Sequence, residues 1–209
     1  MGLDISLSML ITNLIILLIA FPVHEFAHAW AANAYGDDTP RIMGRLTLNP
    51  LSHLDVMGSI MLVLAGFGWA KPVPVNGYAL QRKSPSALMW VSLAGPLSNL
   101  AMAFLAAVPF ILGFLSINFA EFSKTIPTIP QFLYYFISIN LVLAFFNMIP
   151  LYPLDGEKVL MRFVSPQIAR TLEGMRQYQP LILFAVVFIG ARTGILYLPV
   201  NWLLSLLAR

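Results

Sequence analysis

The first long apolar run ends on reactive groups. Residues 5–35 carry no charged side chain except Glu25, and "FPVHEFAHAW" (Phe21 to Trp30) sets that glutamate between His24 and His28. The run exceeds the roughly 20 residues a helix needs to cross a bilayer core about 30 Å thick. In lipid a helix satisfies its own backbone polar groups, so this stretch is expected to fold as a spanning helix. Ionisable side chains are costly there and tend to mark function. His24 and His28 are about one turn apart and project from one face, so both imidazoles can reach a single metal ion. Glu25 stands about 100° round the helix, placed to take a proton from water at that metal without ligating it.

Further runs extend the same reading. Of 209 residues, 59% are hydrophobic and 10% charged, far too apolar for an ordinary soluble domain. Segment A covers 5–35. Segment B, "VMGSIMLVLAGFGWA" (Val56 to Ala70), is short for a crossing and carries Gly58, Gly66 and Gly68. Segments C (87–115) and D (132–149) are long enough or nearly so. Segment E (181–207) is interrupted by "GARTG" and Pro199, and reads as one broken helix or two pieces. The chain is therefore expected to be an all-α polytopic membrane protein, a single domain over 1–209 with no repeat or linker. Its N-terminus lacks the basic n-region and cleavage site of a signal peptide, so the first helix is expected to persist.

Charge excludes one class of partner and orients the chain. The net +3 is spread over short connections without the clustered run that nucleic-acid binding needs. There is no cysteine, so a metal must be held by nitrogen and oxygen ligands. If B spans, Lys and Arg divide seven against four between the two sides. If B enters and returns, they divide nine against two, with Arg192 inside E left out of both counts. Cytoplasmic connections carry the excess, so the re-entrant arrangement is preferred.

A catalytic zinc site needs a third protein ligand. His53, Asp55 and Asp155 are the candidates. Asp155 lies in "NMIPLYPLDGEK", where Pro150 and Pro153 stop a regular helix and Gly156 permits a tight turn. Because His24 and His28 lie near the C-terminal end of A, and Asp155 lies past the end of D, one metal joins them only if A and D run parallel. That again requires B to be re-entrant.

"HEFAH" in the first run, "AGPLSN" in the middle and "NMIPLYPLDG" later resemble, in that order, the site-2 protease family of intramembrane zinc metalloproteases, peptidase family M50. The short form without a PDZ or CBS domain is most similar, through "GRLTLNPLSHLD" and "GWAKPVPVN". The resemblance implies a three-helix catalytic core made by A, C and D, with the C-terminal segment added. It implies one zinc ion per chain held by His24, His28 and Asp155, with Glu25 as general acid/base. It also implies a re-entrant β-hairpin-like element over 56–76 after the first helix.

Other polar residues are open to two readings each. Asn99, in "GPLSN" beside Ala94, Gly95 and Ser98, is a candidate donor to the oxyanion of the tetrahedral intermediate, or an interhelical structural amide. Asn147 is expected to tie the end of D. His53 is an alternative zinc ligand, or a residue that fixes its loop. "GWAKPVPVN" is a candidate strand edge for an unwound substrate, since Pro72 and Pro74 suit an edge, or a Pro-rich loop. The expected partners are a transmembrane protein substrate and the lipid bilayer, in a prokaryotic cell membrane with the active site toward the cytoplasm. Two other functions fit parts of the pattern: a membrane metal-binding or transport protein, and a proteolytically silent relative that binds transmembrane helices.

Overall fold

A computed structural model describes residues 6–65, 68–194 and 198–207. The first helix, α1 (Leu7–Ala34), opens at Ser6, whose Oγ accepts the Met9 N–H at 3.2 Å. It ends where Gly36 takes a left-handed φ of 86°. Two short helices, α2 (Thr39–Ile42) and then α3 (Val56–Ala65), precede α4 (Gly77–Lys83). The second long helix is α5 (Ala87–Ile111). The third, α6 (Ile129–Asn147), starts on a capping box in which Thr128 and Gln131 satisfy each other's backbone N–H. At a rise of about 1.5 Å per residue, α1, α5 and α6 measure about 42, 37 and 28 Å, each close to or above the bilayer core. Their mean hydropathies of 2.1, 1.7 and 1.7 suit that span, and the chain is a membrane protein.

The chain then forms α7 (Asp155–Met161), α8 (Pro166–Gly174), α9 (Gln179–Thr193) and α10 (Leu198–Leu207). Segment E is thus two helices among the described residues, separated at Gly194 (φ 71°), with 195–197 outside them. Helix α10 packs Val200 and Leu204 against Ala103 and Ala107 of α5 and Ile137 and Leu141 of α6.

Helix α5 lies between α1 and α6, and those two touch each other far less. Fully buried Ala32 packs with Ala87 and Val91 of α5, where small side chains let helices approach without a driving force from water. Large apolar residues such as Leu14, Leu18, Phe104 and Leu105 point outward, as a lipid-facing surface requires. At one end, Gln131 Nε2 donates to Ser8 Oγ at 3.0 Å, and the Ser8 N–H donates to the carbonyl of Lys124 at 3.1 Å. The starts of α1 and α6 are therefore neighbours, the two helices run parallel, and α5 runs against them.

The β-hairpin expected over 56–76 is not what forms. Val56–Ala65 is helical, and an isolated antiparallel bridge between Leu54 and Ala70 is the β pairing among the described residues. Asp55 Oδ1 accepts the Gly58 N–H at 2.8 Å and so starts the helix. In an apolar setting a helix satisfies its own backbone, whereas an isolated hairpin leaves its outer edges unpaired. Gly58 serves close approach: a Cβ there would overlap the carbonyl of Trp69 on the returning chain. Gly66 lies outside the described residues.

After α3 an extended strap, residues 68–76, crosses back toward α1. It is pinned near its start, where the Lys71 N–H donates to the His53 carbonyl at 2.8 Å and Arg45 Nη1 donates to the Lys71 carbonyl at 3.2 Å. At its other end the Asn76 N–H donates to Oδ2 of buried Asp37 at 2.6 Å.

Candidate metal centre

Three ligand-type atoms converge at the end where α1 and α6 finish. His24 Nε2 and His28 Nε2 are 3.1 Å apart, and Asp155 Oδ2 lies 3.4 Å from the first and 3.1 Å from the second. All three side chains are buried. Tetrahedral zinc ligands at about 2.0–2.1 Å from the metal stand about 3.3 Å from one another, so the spacing and the nitrogen and oxygen donors fit zinc. The described residues contain one such group of three metal-ligand side chains.

Local structure explains each placement. The two histidines share the face of α1 that meets α5, and their Nδ1 atoms both engage α5. His28 Nδ1 donates to the Val91 carbonyl at 2.7 Å, and His24 Nδ1 donates to Asn99 Oδ1 at 2.5 Å. Midway between Val91 and Asn99 on that face sits Gly95, where a Cβ would overlap His28 Nε2 and His24 Cε1. With both Nδ1 atoms donating, both Nε2 lone pairs point at the carboxylate and at each other. A cation placed among them removes that repulsion.

Asp155 arrives by a different route. Helix α6 stops at Asn147, residues 148–154 turn through a cis Tyr152–Pro153 peptide, and Asp155 is the first residue of α7. Gly156, expected to permit a tight turn, has no positive φ. It sits in α7, and a Cβ there would overlap the carbonyls of Met148 and Ile149. The Asp155 carboxyl is buried, and its Oδ2 faces both imidazoles. Lys158 Nζ adds a weaker contact at 3.6 Å from Oδ1.

Glu25 faces a cavity of about 970 Å³ that also opens onto His24, His28, Asp155, the strap and α9. Its Oε2 accepts the Val73 backbone N–H of the strap at 3.1 Å. Asn147 lines the same cavity and donates to its own helix at the Leu143 carbonyl, 2.9 Å away. The connection from α8 is locked to the α6–α7 turn: Gln179 Oε1 accepts the Tyr152 N–H at 2.6 Å, and Arg176 donates to buried Glu157 at 2.6 and 2.9 Å.

Two alternative ligands lie elsewhere. His53 is fully buried in its loop, where Nε2 donates to the Thr47 carbonyl at 2.7 Å, and Asp55 caps α3. Asn99 is fully buried between helices: Oδ1 faces His24, Nδ2 donates to Asn140 Oδ1 at 2.8 Å, and the residue does not line the cavity. Sequence reasoning passed over Asn140 and Val73. Asn140 carried a usable signal as an amide in the middle of the apolar run of α6, where an unpaired polar group is costly. Val73 carried none, because its contribution is a backbone N–H.

A helical membrane protein that closes an H-E-x-x-H face with a carboxylate from a second helix end has the architecture of a zinc-dependent metalloprotease. The profile of peptidase family M50 matches residues 12–190, and this chain belongs to that family. It is 40% identical over 184 residues to "Putative zinc metalloprotease YwhC" of Bacillus subtilis (strain 168), covering 88% of this chain and 82% of the relative. It is 29% identical over 192 residues to "Putative zinc metalloprotease Rip2" of Mycobacterium tuberculosis (strain ATCC 25618 / H37Rv), covering 90% and 71%. To "Putative zinc metalloprotease MJ0611" of Methanocaldococcus jannaschii it is 33% identical over 162 residues, covering 75% and 73%. No solved structure matches the chain.

Proposed function

We propose that this protein is an intramembrane zinc endopeptidase that hydrolyses peptide bonds in or near transmembrane segments of membrane proteins. One observation carries the reading: the nitrogen and oxygen atoms of His24, His28 and Asp155 stand at tetrahedral-zinc spacing in a cavity shared with Glu25, at the end of two spanning-length helices. These three residues hold one zinc ion per chain. When bound, that ion supplies Lewis acidity toward water and the scissile carbonyl. Glu25 takes a proton from the attacking water and delivers it to the leaving amine, which its place in the cavity wall permits.

A substrate helix has its peptide groups satisfied internally and must unwind before attack. The extended strap lines the cavity between its two pinned ends, and the unwound segment lies along it. Wild-type cleavage after replacing 68–76 by Gly/Ser would refute that placement.

Arg41, Arg45, Lys71, Arg82 and Lys83 lie on connections at the metal-site end, as do the basic residues of α7 and α8, while Lys124 lies at the opposite end. By the positive-inside rule this supports a site toward the cytoplasm, and the proposed setting is a prokaryotic cell membrane. The deciding experiment measures bound zinc and cleavage of a reconstituted transmembrane peptide by wild type, Glu25→Gln and His24→Ala. Glu25→Gln keeps zinc and loses cleavage, and His24→Ala loses both. Zinc binding with no cleavage by wild type would instead favour a metal-transport protein or a silent relative.

A further inference from the structure

The two imidazoles are held by different means. His28 Nδ1 meets the Val91 carbonyl directly. A carbonyl only accepts, so His28 must carry its proton on Nδ1 and turn the Nε2 lone pair to the metal position. His24 meets no carbonyl. Its Nδ1 meets Asn99, a side chain that can present either an acceptor or a donor.

What settles the orientation of Asn99 lies on the neighbouring helix, α6. Asn140 Nδ2 donates to the Phe136 carbonyl at 2.8 Å, one turn back in α6. Because that carbonyl only accepts, Asn140 must point its amide nitrogen there and leave Oδ1 facing Asn99. Asn99 must then present Nδ2 to Asn140, across 2.8 Å, and Oδ1 to His24. His24 must in turn donate from Nδ1. Reversing either amide sets donor against donor or acceptor against acceptor in a place with no water, since Asn99 and Asn140 are both at 0% exposure.

We propose that Asn99 and Asn140 act as one positioning unit, which carries the polarity of the Phe136 carbonyl across α6 and α5 and fixes His24 as the Nδ1–H tautomer with its Nε2 lone pair on the metal. This rests on the zinc reading above and deepens it: both metal-ligand tautomers are set by backbone carbonyls, one directly and one through two amides. Neither asparagine is a catalytic residue, because neither touches the cavity. Partners of this kind behind a ligand are worth about 10–100-fold in metal affinity.

The test has a readout independent of zinc. In metal-free protein labelled with 15N-histidine, His24 is one of three histidines, and its ring nitrogen shifts report the tautomer. Wild type gives Nδ1–H. Asn140→Leu, which leaves His24 and Asn99 in place, gives mixed tautomers, and its zinc Kd by competition with a chromophoric chelator rises about 10–100-fold. Asn99→Leu does the same, and the double variant is no worse than either single one, as expected of a unit. Asn99→Asp keeps an acceptor toward Nδ1 and retains zinc far better than Asn99→Leu. Pure Nδ1–H in Asn140→Leu with a wild-type zinc Kd overturns the proposal, as do losses that multiply in the double variant. Where Asn140→Leu does not fold, an Asn99→Asp affinity no better than that of Asn99→Leu overturns it instead. A wild type that binds no zinc removes the proposed function, while the tautomer in metal-free protein still decides this inference.

Discussion

The Val73 backbone N–H donates to Glu25 Oε2 at 3.1 Å, although the two residues are 48 positions apart in the chain. Val73 stands between Pro72 and Pro74, neither of which has an N–H, so it is the sole backbone donor of that triplet. The strap thereby holds the carboxylate of Glu25 from the side opposite α1. A hydrogen bond to a charged group contributes about 1.5–3 kcal/mol, so Val73→Pro is expected to lower kcat by roughly 10–100-fold with bound zinc unchanged. Val73→Ala keeps the N–H and should remain near wild type. Equal activity in the two variants, assayed on one transmembrane peptide, would show that the contact is incidental.

Gly95 is the tightest point between α1 and α5. A methyl group there meets both imidazoles, so Gly95→Ala must push α5 away from α1 or tilt the rings. Overpacking of this kind costs about 1–3 kcal/mol, and here the strain falls on the ligands. The expected result is a lower Tm with weaker zinc binding. Gly174→Ala, where nothing lies within 4 Å of the added atom, is the matched control and should change neither.

The choice of third ligand is open to direct measurement. Asp155→Ala should abolish stoichiometric zinc, read by metal analysis after desalting, and a chelator should abolish wild-type cleavage. His53→Gln should keep zinc stoichiometry while lowering Tm, because it disturbs the buried bond to the Thr47 carbonyl. Such a bond contributes about 0.5–1.5 kcal/mol. Zinc lost from the His53 variant but kept by the Asp155 variant would reverse the assignment.

Arg176 and Glu157 join the α8–α9 connection to α7, one residue beyond Gly156. Glu157 has a side chain 3% exposed, whereas that of Arg176 is 43% exposed, so solvent partly screens the pair. Arg176→Ala leaves a carboxylate in a closed site and should lower Tm clearly more than Arg176→Ala combined with Glu157→Gln. A double variant less stable than the single one would show that the pair is not what holds this joint.

Much of the centre was legible in the chain because helix periodicity is local. The spacing of His24, Glu25 and His28 sets two imidazoles on one face and a carboxylate beside them, once the run is helical. The distribution of Lys and Arg went further and favoured parallel first and third long helices, the arrangement in which Gln131 meets Ser8. The element after the first helix was read less well. The family resemblance implied a hairpin there, but Gly58 is needed for close approach to Trp69 inside a helix, and spacing does not distinguish a turn glycine from a packing glycine.

The sequence by itself determined a polytopic helical membrane protein, two histidines on one helix face with a glutamate beside them, and a short set of candidates for a third group to join them. Tertiary structure decided which candidate meets them, because 127 residues separate His28 from Asp155 and only helix packing closes that gap. It also decided what holds the ligands. The Val91 carbonyl, the Asn99–Asn140 pair and the Val73 N–H act through hydrogen bonds between elements distant in sequence. Such bonds depend on directions that residue order does not encode until α1, α5, α6 and the strap have packed.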